Sequence, residues 1–289
     1  MTSPASATID TGAAWWAAAD RILISAGAGL SAAAGIDYGD TEDFARLFPA
    51  LVRRGFTARY QLIGFNDWSE SEKWGYWAAH VHDVRFAARH STVYAQLRDL
   101  VRGKDYFVLT SNVDAMFVRH GFDGDRIYTP QGDYAALQCL RPCCPTTWPT
   151  EPVIARLLPA IDRDTQTVRD ATLLPACPRC DGAMFPNVRA GGWFLEQPYT
   201  SQRARFLNWL EGATDGRLLI AEFGAGFNTP GVVRLRDERL ANTMPAARLL
   251  RVNPAAAEVP EALGTRALGL ALDAGTVISG LRDRVETTD

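Results

Sequence analysis

The residues of this chain that could do chemistry fall into two groups. Cys139, Cys143 and Cys144 lie in "LQCLRPCC", and Cys177 and Cys180 lie in "ACPRCDG". A Cys-x-x-Cys with a second close pair upstream is a tetrathiolate zinc pattern, because Zn²⁺ takes four soft ligands tetrahedrally and two tight turns can supply two each. A redox Cys-x-x-Cys would not need the upstream cluster. The expected ligands are Cys139, Cys143, Cys177 and Cys180, with Cys144 spare. A shell closed by four thiolates holds structure and activates no water.

The second group begins with "RILISAGAGLSAAAGIDYGD". An apolar run enters a Gly-Ala-Gly turn, and a helix of small residues follows. Backbones bend this way around a dinucleotide pyrophosphate, with Gly27 and Gly29 letting the chain approach and the helix N-terminus facing the charge. Ala32 stands where G-x-G-x-x-G has its third glycine. Other polar or glycine residues follow apolar runs in the same way. Gly27, Ala28, Gly29 and Ser31 follow "RILISA", Asn112 and Asp114 follow "FVLTS", and Gln131 follows "RIYTP". Gly224 and Gly226 follow "LLIAEF", Asn253 follows "LLRV", and Asp273 follows "LGLAL". Asn and Asp also end strands for plain turn reasons. Several strand ends carrying such groups together point to a nucleotide.

The elements that must position these residues alternate. "RILISA", "YFVLTSN", "RIYTPQ", "RLLIAEF", "RLLRVN" and "TRALGLAL" read as strands, and helical patterns separate them. Residues from Thr41 to about Gly103 read as helical. The segment from about Tyr134 to Ala190 is rich in Pro and turn residues, as a metal-stapled insert would be. Apolar strands alternating with helices imply a parallel sheet covered on both faces. The fold class is therefore α/β: a Rossmann-like parallel sheet with helices on both faces, plus a small zinc-ribbon and helical lobe. Residues 1–20 are expected to form a short disordered lead and a helix carrying Trp15 and Trp16. Residues 21–133 and 191–289 would form the Rossmann-like domain, with a helical insert at about 41–90, and residues 134–190 the zinc insert. In such a sheet ligands sit outside the carboxyl ends of the strands.

Composition narrows the partners. The 289 residues are 47% hydrophobic and 22% charged, with a net charge of −3. This balance disfavours a phosphate-neutralising surface for nucleic acid. No apolar run reaches the roughly 18–20 residues of a membrane helix. The N-terminus lacks a basic segment followed by an apolar one, so the expected compartment is the cytosol.

Several motifs together resemble one family. "GAGLSAAAGI" is similar to the sirtuin phosphate loop, Gly-Ala-Gly-x-Ser-x-x-x-Gly-Ile, which uses this shorter glycine fingerprint for NAD. "TSNVD" is similar to the sirtuin Thr-Gln-Asn-x-Asp, and the paired cysteines to its zinc ribbon. "GAGFNTP", with Gly224, Gly226 and Asn228, takes the place of the sirtuin Gly-Thr-Ser segment, and "RVN" that of its adenosine-side Asn. Where deacylases carry His-Gly, this chain reads "TPQGDY", and where they carry Pro-Asp-Phe-Arg it reads "DYGD". Either Asp37 or Tyr38 would take over the NAD contacts of that segment. "TPQGDYAALQC", "FGAGFNTPGVVR" and "PNVR" resemble the macrodomain-linked class M sirtuins of microbes. That resemblance implies NAD-dependent protein ADP-ribosylation with NAD as co-substrate, a lipoyl-carrier protein as acceptor, and a partner macrodomain hydrolase that reverses the mark.

The resemblance also implies roles. Asp114 would hold the nicotinamide amide, and Asn112 a water or the ribose hydroxyls. Gln131, a carboxamide without useful basicity, would position the ribose instead of deprotonating it. Arg189 in "PNVR" either steers an acidic acceptor or the phosphates, or is a solvated strand charge. The His-Gly at His120 and Gly121 reads as the end of a short helix, where a histidine suits the dipole. His80, His82 and His90 lie in the helical region with no partner motif. Two other readings stand beside the transferase: an NAD-dependent deacylase or NAD hydrolase, and a non-enzymatic NAD or ADP-ribose sensor. Asn112 and Asp114 speak against the sensor, which would not need them to bind adenosine.

Overall fold

The computed structural model describes residues 4–213 and 216–286. The first helix, α1 (Pro4–Ala18), buries Trp16, whose indole N–H donates to Leu100 O at 2.9 Å. The chain is therefore helical from Pro4, and of the expected disordered lead only residues 1–3 fall outside the described residues. Strand β1 (Arg21–Ala26) runs into α2 (Ala28–Ala33). Next come α3 (Thr41–Leu47), α4 (Pro49–Arg53), α5 (Glu70–Val81) and α6 (Thr92–Leu100). Sequence chemistry sets their starts: Asp40 caps α3 through Glu42 N and Asp43 N, and Ser69 with Glu72 forms a reciprocal capping box at α5. Strand β2 (Asp105–Thr110), helix α7 (Met116–Arg119) and the short β3 (Ile127–Tyr128) follow. Gly121, at φ +79°, ends α7 as expected. Its N–H bonds Val118 O and that of Phe122 bonds Phe117 O, the paired bonds of a Schellman end.

The cysteine-bearing stretch contains more regular structure than its composition suggests. It holds β4 (Gly132–Cys139), β5 (Trp148–Pro149), α8 (Glu151–Leu157), β6 (Ile161–Asp162), β7 (Thr167–Val168) and β8 (Met184–Val188). The chain closes with α9 (Thr200–Glu211), β9 (Leu218–Phe223), α10 (Arg234–Thr243), β10 (Arg248–Val252), β11 (Ala267–Leu270) and α11 (Ala274–Glu286).

The fold divides into two compact units. The first comprises residues 1–36, 90–130 and 199–289. Its six-stranded sheet has the order β11-β10-β9-β1-β2-β3, and every pairing is parallel. All six residues of β9, and all of β1 but Arg21, are buried, as expected for central strands flanked by helices. The order reverses at β1, so the loops after β1 and β9 meet at a switch point, where open α/β sheets bind ligands. The second unit comprises residues 37–89 and 131–198, joining the helical insert to the cysteine segment. There β4 pairs antiparallel with β5 and β8, and an aromatic cluster of Trp77, Tyr134 and Phe185 packs inside.

Candidate functional site

In the first unit the two glycines of the turn lie against the loop after β9. A Cβ on Gly29 would stand 2.7 Å from Gly224 Cα, and one on Gly27 would stand 2.6 Å from Ala225 Cα. The space these glycines leave on their Cβ side is filled by the loop after β9. Gly224 adopts φ +64°, and Gly29 N–H donates to its carbonyl at 3.0 Å. The two loops are thus locked backbone to backbone, and Gly29→Val would disturb this lock.

Around this lock the predicted residues of the first unit gather. The Ser31 hydroxyl donates to Asp114 Oδ2 at 2.5 Å, and Met116 N–H donates to Asp114 Oδ1 at 2.9 Å. Asn112 Nδ2 donates to Gly27 O at 2.9 Å, so Asn112 is tied to the glycine turn itself. Thr110 Oγ1 accepts from Asn112 N–H and donates to Ala26 O. Ser31, Asn112 and Asp114 are all buried. Ala115, directly after Asp114, holds φ +56°, a left-handed conformation that a non-glycine residue adopts at a cost and that aims the carboxylate. The result is a carboxylate and a carboxamide held rigid at the end of β2, a preorganised pair.

The remaining predicted residues of this unit separate by role. Asn253 Nδ2 donates to Ala225 O, and its Oδ1 accepts from Ala255 and Ala256 N–H, so it ties the β10 loop to the β9 loop. Asp273 accepts from Thr276 N–H as a helix cap for α11. Gly226 and Asn228 are exposed on the β9 loop beside Phe227, which is 66% exposed. His120 is no base: Nδ1–H donates to Met116 O at 2.8 Å, and Nε2 accepts from Ser91 N–H at 2.9 Å.

In the second unit the structure joins two residues that the sequence offered separately. Arg189 N–H donates to Gln131 O at 2.9 Å, where the β4–β8 ladder begins. Gln131 is 8% exposed, and its Oε1 is buried without a hydrogen-bond partner. A buried acceptor left open in this way costs about 1–3 kcal/mol unless something meets it. Arg189 lies at the surface, paired with Glu196 at 2.6 Å and stacked over Phe194. Asp37 is exposed and Tyr38 half-buried on the loop before α3.

The Sγ atoms of Cys139, Cys143, Cys177 and Cys180 all lie within 4.8 Å of one another. Two of the separations, Cys139–Cys180 and Cys143–Cys177, are 3.6 Å. Tetrahedral zinc with Zn–S near 2.3 Å asks for about 3.8 Å between sulfurs, so the four thiols fit one structural zinc ion. Cys144 is not among them.

Two features escaped sequence reasoning. Tyr94 on α6 is fully buried, with a hydroxyl lacking a hydrogen-bond partner. Burial and the nearby Asp114 carboxylate push its phenol well up, so it stays protonated beside the Ser31–Asp114 pair. His80 is fully buried among Arg59, Tyr76 and Tyr134. No local pattern marks the closeness of Tyr94 to Asp114 or the bond of His80 to Tyr134, because each joins separate segments of the chain.

No protein-family model matches the chain. Among solved structures it resembles a Sir2 homolog in complex with NAD, with a TM-score of 0.61 at 20% identity, over 96% of this chain and 94% of that one. A Sir2 homologue mutant in complex with 2'-O-acetyl ADP ribose gives a TM-score of 0.62 at 18% identity, over 100% and 98%. The chain has the sirtuin (Sir2) fold. Within that fold, the sequence is 40% identical over 232 residues to a protein of Fusarium oxysporum f. sp. cubense named "Probable bifunctional ADP-ribose hydrolase/ADP-ribosyltransferase". That alignment covers 78% of this sirtuin-fold chain, which spans 39% of the length of the fungal relative. A second relative, named "Protein ADP-ribosyltransferase" from Staphylococcus aureus (strain Mu50 / ATCC 700699), is 28% identical over 269 residues, 90% of this chain and 82% of its own.

Proposed function

We propose that this chain is an NAD-dependent protein ADP-ribosyltransferase of the macrodomain-linked, class M sirtuin type. The observation that carries this reading is Gln131. It follows β3, where the resemblance to deacylases calls for histidine, and it keeps a buried carboxamide oxygen open to a partner. A carboxamide can place a ribose hydroxyl but cannot deprotonate it near neutral pH. The names of the two relatives support the transfer chemistry.

In the reaction, the bond between nicotinamide nitrogen and ribose C1′ breaks, and nicotinamide leaves with the electron pair. Positive charge develops at C1′, and an acceptor nucleophile on a protein closes the new bond. A carboxylate acceptor brings no proton to remove. Any other acceptor gives its proton to solvent or to Asp114. Asp114, with both oxygens already fixed, holds the nicotinamide amide, and Asn112 Oδ1 orients a ribose hydroxyl or water. The pyrophosphate lies against Ala28, Ser31 and the N-terminus of α2, with Asn253 on the adenosine side. Gly226, Asn228 and Asp273 are further contacts of the same nucleotide, and Asp37 or Tyr38 replaces the segment missing after Ile36. Arg189, at the surface beside Glu196, faces the acceptor. A zinc ion held by Cys139, Cys143, Cys177 and Cys180 would have a closed shell and would supply no step.

The acceptor we favour is a lipoyl-carrier protein, with a macrodomain hydrolase as functional partner. Both rest on the motif resemblance. The fungal relative's name, which combines an ADP-ribose hydrolase with the transferase, supports a partner of that kind.

The test is intact-mass analysis of carrier proteins, lipoylated and not, incubated with the full chain and labelled NAD. The expected result is a gain of one ADP-ribose unit on a carrier, lost by at least about tenfold in Gln131→Ala, as expected when a positioning contact is removed. Adenosine-side binding should persist in that variant. Acetyl-lysine peptides should remain uncleaved by the wild type, and robust deacylation would overturn the reading. Free ADP-ribose without marked protein would make the chain an NAD hydrolase.

A further inference from the structure

The first unit holds a cavity of about 360 Å³ that the reaction described above does not use. Its volume falls in the range of small-molecule pockets, roughly 300–1,000 Å³. The cavity lies at the amino ends of the parallel strands. Leu218 begins β9, Arg248 begins β10, and Arg266 stands just before β11; all three line it, with Trp15 of α1 and Pro245. The loops bearing Gly224 and Asn253 leave from the carboxyl ends of the same strands. Strand β9 has six residues, so about 20 Å of chain separates the two edges. The cavity is therefore a second place on the sheet, distinct from the candidate nucleotide site.

Its lining combines apolar surface with positive charge. Three arginines and no carboxylate line it. Two of the three guanidiniums are already committed. Arg217 Nη2 pairs with Asp20 Oδ1 at 2.7 Å, and its Nε donates to Asp20 Oδ2 at 3.2 Å. Arg266 Nη1 donates to Ala241 O at 2.7 Å and to Ala247 O at 3.1 Å, which fastens the end of α10. Neutral carbonyls leave the charge of Arg266 uncancelled. Arg248 differs from both. Its guanidinium carbon lies 5.0 Å from the centroid of the Trp15 ring, and among the described residues its side chain makes no hydrogen bond or ion pair. Contact with an indole face uses the plane of a guanidinium and not its N–H donors.

These features select a ligand class. Trp15, Pro245 and the alanines of the lining suit a flat apolar body. The charge excess favours an anion, and a guanidinium fork takes a carboxylate through two parallel hydrogen bonds. Only one fork is uncommitted, which matches a single carboxylate better than a doubly charged phosphate. We propose that this cavity binds a small aromatic carboxylate, with its ring against Trp15 and its carboxylate on Arg248. The inference stands apart from the NAD reading and does not depend on it.

The test uses the full chain and two probes of one shape, 2-naphthoate and its neutral counterpart 2-naphthamide, titrated by calorimetry. Wild type should bind one naphthoate per chain with a Kd of about 1 mM or tighter, near the ordinary efficiency for a ligand of that size. The amide should bind at least about tenfold more weakly, as expected when a charged hydrogen-bonded pair is lost. Arg248→Gln should bring naphthoate down to the level of the amide. Trp15→Leu should weaken both probes, because it removes the ring contact and leaves the charge. Arg248 is exposed, so its variant should melt like wild type and report binding alone. Absence of naphthoate binding, equal affinity for the two probes, or naphthoate binding undiminished in Arg248→Gln would each overturn the proposal.

Discussion

Gly224 shows what a single residue does in the first unit. Its φ of +64° is strained for any L side chain, and an added Cβ would stand 2.4 Å from Leu30 N. Gly226, two residues on, would meet nothing within 4 Å. Gly224→Ala should therefore cost roughly 2 kcal/mol or more in urea unfolding, while Gly226→Ala should cost a few tenths. Equal midpoints for the two variants would remove the backbone lock. The glycines were legible in the sequence as positions that exclude side chains. Their reason was not, because Gly29 and Gly224 meet across most of the chain. Asn112 and Asp114 were legible by type and spacing. The open oxygen of Gln131 was not, since burial of one atom depends on what packs around it.

At the scale of elements, the second unit is organised by one antiparallel ladder. Strand β4 starts beside Gln131 and ends at Cys139, and β8 runs back from Met184, after Cys177 and Cys180, to Val188 beside Arg189. The metal ligands thus sit at one end of the ladder, and Gln131 with Arg189 at the other. Cys177→Ser should drop zinc, measured by mass spectrometry, from one ion per chain toward none and cut the folded yield, because metal binding is coupled to folding. Cys144→Ser should change neither quantity. Full zinc content in the Cys177 variant would overturn the assignment.

The cysteine spacing made the metal cluster readable, and the long apolar strands made the sheet readable. Helix α10 carries a weaker signal than the strands on either side of it. Its inward residues include Arg234 and Asp237, so it carries no apolar stripe. Strand β3 is only two residues long because the chain leaves the sheet edge after Tyr128.

The charges that hide α10 matter to the whole molecule. Glu222 of β9, Arg251 of β10 and Asp237 of α10 are fully buried together, with Arg251 bonded to Glu222 at 2.6 and 3.0 Å and Ser25 donating to Asp237 at 2.9 Å. Burial and the neighbouring Glu222 carboxylate push Asp237 well up, so it carries a proton in the fold. A carboxyl whose folded pKa exceeds the unfolded value of about 3.9 gives its full stabilisation below that pH and loses it as pH rises toward the folded value. Asp237→Asn abolishes this titration and keeps an acceptor for Ser25. As pH rises above about 4 the variant should gain on wild type in urea stability, by up to about 1.4 kcal/mol per pH unit. A gap that stays constant with pH would show Asp237 to be ionised in the fold.

The lock between Gly27, Gly29 and Gly224 carries a different consequence, one of evolvability. A contact made of backbone alone has no side chain to trim or enlarge, so it cannot be adjusted in small steps. Mutation there either leaves the fold or breaks it. A lineage built on this scaffold has to diversify its chemistry where a side chain can be exchanged over an unchanged main chain. Position 131, where this chain carries a carboxamide and the resemblance to deacylases calls for an imidazole, is that kind of place.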